Sequence, residues 1–270
     1  MINNDVKEFK RKFAVLVVSC DKYLDLWEPF FKLFWRFWPG CPFNVYLLSN
    51  RLNSDIQGVK GLLIGEDISW SDNLYNGVSK LKEDYIFLFL DDLFLCDFVK
   101  SDRVLQVLDW TLAYNANYVR MNPSPKPDKP YNELVGIVSK GTIYRTSTVL
   151  SVWKKAILLD LLRPGESAWD FEIYGTIRSD VYDGFYCTWE EYFPVVNGVI
   201  KGKWQRSAVK KLKLLGVNID LSKRRVMTNR EALIFFLKRQ RSRLLKIIPA
   251  KYRRGVKDFI LRGKYNYKLM

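Results

Sequence analysis

The 270-residue chain contains no histidine. That absence excludes Ser-His-Asp and Cys-His nucleophile pairs and histidine metal ligands, and it removes the usual general base of neutral pH. Acid–base chemistry must therefore run on carboxylates, Lys, Tyr or Cys. Cysteine is also scarce. Cys20, Cys41, Cys96 and Cys187 lie far apart with no C-x-x-C spacing, so they make neither a disulfide framework nor a zinc site and read as small buried apolar residues. Long hydrophobic runs are missing too: the longest, Tyr85–Leu90 and residues 232–237, fall well short of the roughly 18–20 residues of a spanning helix. The N-terminal apolar run, about seven residues long and closed by Ser19-Cys20-Asp21, is too short for a signal-peptide core. The expected compartment is the cytoplasm.

What is present is an ordinary globular composition, 48% hydrophobic and 27% charged, with room for one generous α/β domain or one domain and an appendage. Aromatic residues reach 15%, which suits a core, sugar stacking or a membrane interface alike. The net charge of +15 is unevenly placed. Residues 201–270 carry 22 of the 44 Lys and Arg but only three acidic residues, Asp220, Glu231 and Asp258, whereas residues 1–200 are slightly acidic. A near-neutral body with a basic extension points to nucleic acid, an anionic membrane surface or an acidic partner.

Residues 13–19 (FAVLVVS), 44–49 (NVYLLS) and 85–90 (YIFLFL) are apolar runs of strand length, with a shorter strand expected at 61–64. Helical spacing marks 24–38, 68–81, 101–115, 149–162 and 166–177, while four prolines in 122–130 demand a loop. Strand–helix alternation predicts an α/β fold with a mainly parallel sheet flanked by helices, over residues 1–205. Ligands of such sheets bind beyond the carboxyl ends of the strands, which gathers Ser19–Asp21, Ser49-Asn50 and Asp91-Asp92 at one rim. Residues 206–270 predict a basic helical extension, with helices at 210–215, 230–248 and 252–262 mixing Leu, Ile and Phe with Lys and Arg as interfacial helices do.

The Asp91-Asp92 pair closes the most apolar strand. Like charges side by side cost stability, and a divalent cation bridging them to a diphosphate supplies a reason; a solvated turn is the plainer alternative. The densest acidic cluster elsewhere is PGESAWDFE, with Glu166, Asp170 and Glu172; Trp169 beside it could stack on a sugar. In a helix Glu166 and Asp170 share a face and Glu172 lies away from both. Asp72 is either a ligand-side carboxylate or a helix cap. Arg120, Arg145 and Arg178 are candidates for neutralising phosphate, or for salt bridges.

FAVLVVSCDKYLDLWEPFF, WSDNL, YIFLFLDDLFL and PGESAWDFE together, in this order over residues 13–205, resemble GT-A-fold glycosyltransferases, and more narrowly bacterial transferases of capsule, O-antigen or other surface-polysaccharide synthesis. The resemblance implies transfer of a sugar, hexosyltransferase-like, from a nucleoside-diphosphate sugar to a hydroxyl of a saccharide acceptor, lipid-linked in this setting. It implies nucleobase and ribose contacts at Ser19 and Asp21, and ribose, diphosphate and a Mn²⁺ or Mg²⁺ ion at Asp91 and Asp92. Asn50, Asp72 and Arg145 complete the expected donor side. The adjacent aspartates, followed by Leu93-Phe94, depart from the D-x-D spelling and leave metal dependence open. The general base is expected at Asp170, then Glu172, then Glu166. Residues 206–270 would hold the protein peripherally on the cytoplasmic face of the inner membrane, with no nucleic acid partner. A nucleic-acid-binding protein using the basic extension and a metal-dependent phosphohydrolase using the aspartate pair are the alternatives.

Overall fold

A computed structural model describes residues 11–244 and 248–260. Its strands are β1 (Phe13–Val18), β2 (Asn44–Ser49), β3 (Val59–Leu63), β4 (Tyr85–Leu90), β5 (Leu93–Leu95), β6 (Tyr118–Arg120), β7 (Lys129–Pro130), β8 (Val135–Ile137), β9 (Ser151–Lys154), β10 (Phe185–Thr188), β11 (Val195–Asn197), β12 (Val199–Ile200) and β13 (Lys203–Trp204). The main helices are α1 (Leu24–Phe37), α2 (Trp70–Lys80), α3 (Ser101–Ala113), α4 (Lys155–Leu161), an irregular α5 over 168–178, α6 (Arg206–Leu214), α7 (Asn229–Leu244) and α8 (Ala250–Ile260).

Nine strands form one mixed sheet in the order β3-β2-β1-β4-β9-β6-β10-β8-β7. Strands β3, β2, β1 and β4 are mutually parallel; β9 runs antiparallel between β4 and β6, and β10 is again parallel to β6. Alternation explains why β1 and β4 are apolar throughout. Phe13, Val15, Val17, Tyr85, Phe87 and Phe89 face the α1 side with Phe30, Phe34 and Trp38, while Ala14, Leu16, Ile86 and Leu88 face Leu74, Val78 and Leu158. A sheet covered by helices on both faces has no wet side on which to place polar residues.

The expected helix at 149–162 is half wrong. Residues 151–154 are the antiparallel strand β9, and only Lys155–Leu161 is helical. Trp153 packs on Tyr118 at 4.3 Å between ring centroids, and Val152 joins the opposite core, an alternation that a helix would not give. The helix expected at 166–177 starts at Ala168 and contains a π-helical turn, Phe171–Gly175, which shifts the phase of everything after Asp170.

The boundary expected between 205 and 206 is also displaced. Ala208, Leu212, Val217 and Met227 are buried, Trp204 bridges to Val226, and Arg36 Nη1 donates to the Leu215 carbonyl at 2.5 Å. Packing continues without a linker to about residue 227, so the segment from α6 to Met227 belongs to the main body. The expected helices at 230–248 and 252–262 appear as α7 and α8; Leu245 and Lys246, and Arg262 with the rest of 261–270, lie outside the described residues. Among the described residues no helix is long and apolar enough to cross a membrane.

Candidate functional site

The carboxyl ends of β1 and β4 open into a cleft of about 400 Å³. Ser19, Cys20 and Tyr23 line it from the end of β1, and Leu90, Asp91, Asp92 and Leu93 from the end of β4. Trp70 and Asn73 enter from the start of α2, Thr148, Trp169 and Glu172 from the opposite wall, and Asn197, Ile200 and Lys201 from the β11–β13 segment. Phe235 of α7 completes the lining, so the basic extension contributes to the cleft.

At the cleft floor Asp91 is buried and Asp92 half-buried. Asp91 is 6% exposed and accepts a short hydrogen bond from Ser19 Oγ, which in turn accepts from Trp27 Nε1 at 2.7 Å. Burial raises the Asp91 carboxyl well above the usual range, and the Asp92 charge adds to the shift against the Ser19 bond and Arg224. Burial likewise pushes Asp92 up to about 7, opposed by its own backbone N–H and by Arg224. Asp92 Oδ1 is buried with no hydrogen-bond partner, and such an atom costs free energy unless something binds it. Arg224 approaches from beyond α6, paired with Asp25 at 2.9 and 3.0 Å, its guanidinium 3.9 Å from the Tyr23 ring centroid.

A divalent ion fits this floor. Mg²⁺ and Mn²⁺ take hard oxygen ligands, commonly one or two carboxylates completed by substrate phosphates and water. Among the described residues no group of three or more His, Cys, Asp or Glu is arranged to hold an ion by itself. Asp92 Oδ1 with Asp91 beside it would thus supply the protein's share, and a diphosphate the remainder.

The three carboxylates of the second cluster go separate ways. Glu166 forms a two-pronged ion pair with Arg178, both N–O distances 2.7 Å. Asp170 closes a capping box with Ser167 at the start of α5, accepting from Ser167 Oγ at 2.6 Å, and does not line the cleft. Glu172 does line it. Ser147 Oγ, Thr148 N–H and Thr148 Oγ1 all donate to Oε1 at 2.9–3.1 Å, leaving Oε2 without a hydrogen-bonded partner among the described residues. Burial raises the Glu172 carboxyl, opposed by those three bonds and by Arg120. Of the three carboxylates expected as the base, in the order Asp170, Glu172, Glu166, only Glu172 lines the cleft.

The donor-side candidates divide in the same way. Ser19, Asp91 and Asp92 lie in the cleft. Asp21 instead accepts from the backbone N–H groups of Asn50, Arg51 and Leu52, pinning the loop after β2 behind the rim; the Asp21 N–H donates in turn to Asn50 Oδ1, and Asn50 Nδ2 is buried without a hydrogen-bond partner among the described residues. Asp72 sits in the first turn of α2, accepting from Ser69 Oγ at 2.5 Å and the Gly165 N–H at 2.9 Å; the N-cap itself is Ser69, whose Oγ accepts from the Asp72 N–H, so Asp72 braces the cap rather than forming it. Arg145 is misplaced as a phosphate ligand: it is 2% exposed, stacks 3.9 Å over Phe185 and donates to the carbonyls of Val138, Ser179 and Tyr182, which leaves no face toward the cleft. Burial lowers its pKa to about 10. Among the described residues, the cation that lines the cleft is Lys201, at positive φ in the β12–β13 turn. It and Phe235 were not anticipated; an Ile-Lys-Gly-Lys hairpin turn was the only sequence signal for Lys201.

No protein-family model matches the sequence, and no curated protein matches it. Similar folds exist among solved structures. S. aureus TarS 1-349 in complex with UDP is 11% identical with a TM-score of 0.48, over 67% of this chain and 59% of that one. The mannosyltransferase PcManGT from Pyrobaculum calidifontis, in complex with GDP-Man and Mn²⁺, is 12% identical with a TM-score of 0.46, over 71% of this chain and 58% of that one. The chain thus spans about three-fifths of the length of these proteins. Their superposition on this chain is partial.

Proposed function

We propose that the protein is a glycosyltransferase that moves a sugar from a nucleoside-diphosphate sugar to an acceptor hydroxyl. One observation carries the reading: an aspartate pair with a buried, unpartnered oxygen and a half-buried glutamate with a free oxygen line one cleft at the strand ends of an α/β sheet. The cleft volume suits a small organic ligand, and Trp70, Tyr23 and Trp169 give it ring faces for base or sugar. Asp91, braced by Ser19, and Lys201 orient the donor's ribose and diphosphate. Glu172 Oε2 accepts the proton of the acceptor hydroxyl as that oxygen bonds to the anomeric carbon and the bond to the diphosphate breaks. A direct displacement of this kind inverts the anomeric centre. A Mn²⁺ or Mg²⁺ ion at Asp92 and Asp91 would supply charge stabilisation for the departing diphosphate.

The acceptor side is read from α7. Leu233, Ile234, Phe236 and Leu237 are exposed on the helix whose Phe235 lines the cleft, and basic residues are frequent in the sequence that follows them. Each Lys or Arg near an anionic bilayer contributes about 1 kcal/mol, and the four apolar side chains add insertion energy. The acceptor is therefore a lipid-linked saccharide, and surface-polysaccharide synthesis of the capsule or O-antigen kind, with the protein peripheral on the cytoplasmic membrane face, is the setting the sequence resemblance implies. The test is release of nucleoside diphosphate from a panel of UDP- and GDP-sugars by the full-length protein. Release from at least one sugar, lowered by about 100-fold or more in Glu172→Gln, supports the reading; no release from any, with and without Mn²⁺, overturns it.

A further inference from the structure

Helix α8 lies in the basic extension, yet three of its cations point into the body. Arg254 forms a two-pronged ion pair with Asp180 and also donates to the carbonyls of Thr142 (2.9 Å) and Thr176 (3.1 Å). Arg253 Nη1 donates to Asp128 at 2.7 Å and to Thr142 Oγ1 at 3.1 Å. Lys257, only 7% exposed, places its ammonium 4.2 Å from the Tyr144 ring centroid. All three converge on one segment, 141–144, which has no regular ladder and holds Gly141 and Tyr144 at positive φ. A segment with so little backbone pairing depends on side chains for its shape.

The same loop continues into Thr146, Ser147 and Thr148. Thr146 is bonded to Thr176 through both its N–H and its hydroxyl at 3.0 Å, and Ser147 and Thr148 make the three bonds that fix Glu172 Oε1. Arg254 therefore grips both ends of the cradle, at Thr142 on the loop, at Thr176 in the last turn of α5 and at Asp180 just beyond it. It touches neither the cleft nor Glu172.

We propose that Arg254, with Arg253 and Lys257, is a positioning device: α8 clamps the 141–148 loop and so aims the free oxygen of Glu172 into the cleft. The proposal rests on the reading of Glu172 as the base, but its first test does not. In the full-length protein without ligand, amide hydrogen exchange at 143–150 should accelerate by about tenfold or more in Arg254→Gln, chiefly at the Thr148 N–H, with β1 and β4 unchanged. Arg254→Lys, which keeps the charge but not the fork, should fall between. The second test is release of UDP from UDP-GlcNAc, or of GDP from GDP-mannose if only that is turned over. Arg254→Gln should lower kcat about tenfold with donor KM within about twofold, and the same change in a Glu172→Gln background should alter the residual rate less than about twofold. Unchanged exchange at 143–150, or equal losses in both backgrounds, overturns the proposal. If Arg254→Gln does not fold, the Lys257→Gln and Asp180→Asn proteins are read in the same way. Failure of every sugar nucleotide to react would instead count against the transferase reading and leave the exchange result to decide the clamp.

Discussion

The two acidic clusters make an instructive pair. Asp91-Asp92 and Glu166–Asp170–Glu172 look similar in sequence, yet both members of the first reach the cleft and only one of the second does. Asp91 and Asp92 follow a strand, whose end is aimed by the whole sheet, so neither has a local alternative. The second cluster lies on a short helix after a Pro-Gly turn, where capping and ion pairing compete for each carboxylate: Asp170 goes to Ser167, Glu166 to Arg178, and Glu172 is left for the cleft. A strand end assigns position strongly, whereas a helix start offers several partners.

That contrast can be broken most severely at its two functional members. Asp92→Ala and Glu172→Gln should each lower turnover by about 10²–10⁴-fold, read as diphosphate release, while Asp170→Asn should stay within about fivefold of wild type. A large loss in Asp170→Asn with little in Glu172→Gln would restore the order expected from spacing. Membrane attachment comes next. The Phe236→Glu/Leu237→Glu double variant should lose most of its co-sedimentation with phosphatidylglycerol-containing vesicles, and the wild type should bind neutral vesicles about tenfold less or worse. Equal binding by variant and wild type would detach α7 from the acceptor side.

Smaller effects concern stability. The Asp92 carboxyl, raised to about 7 in the folded protein from an ordinary value near 3.8, stabilises the fold most when protonated below that lower value. As pH rises from about 4 through about 7, the unfolded chain ionises first and this contribution is lost. Asp92→Asn should therefore raise the melting temperature by about 2–6 °C at pH 8 and by almost nothing at pH 4, in the absence of nucleotide and metal. An equal effect at both pH values would place Asp92 in water. Asp170→Ala, which removes the α5 capping box, should cost about 1 kcal/mol of stability in denaturant melts, and Asp72→Ala a similar amount at α2.

The same contrast explains what could be read from the sequence. Strands β1 and β4 were legible because a fully apolar six-residue run has few other uses, β2 through its Val45–Leu48 centre, and the shared rim of Ser19 and Asp91 follows from the parallel pairing of β1 and β4. Strand β9 was not, since Ser151-Val152-Trp153 gains its alternation only from insertion between β4 and β6, partners distant in the chain. The phase of α5 was hidden by the π-turn at 171–175. The basic extension misled through its charge: Arg224, Arg253, Arg254 and Lys257 bind the body, and no composition count separates such cations from those left to meet lipid.

Asp92, just beyond β4, is proposed above to close a site for a nucleoside diphosphate and a divalent cation. Thermal unfolding at pH 7.5 with UDP or GDP, each with and without Mn²⁺, compared between wild type and Asp92→Asn, tests it directly. The account predicts that one nucleotide with Mn²⁺ raises the wild-type melting temperature by several degrees, with about 100 Kd of ligand adding close to 2.7 kcal/mol, and that Asp92→Asn loses most of that shift. The same nucleotide shift in both proteins, or none in either, would contradict it.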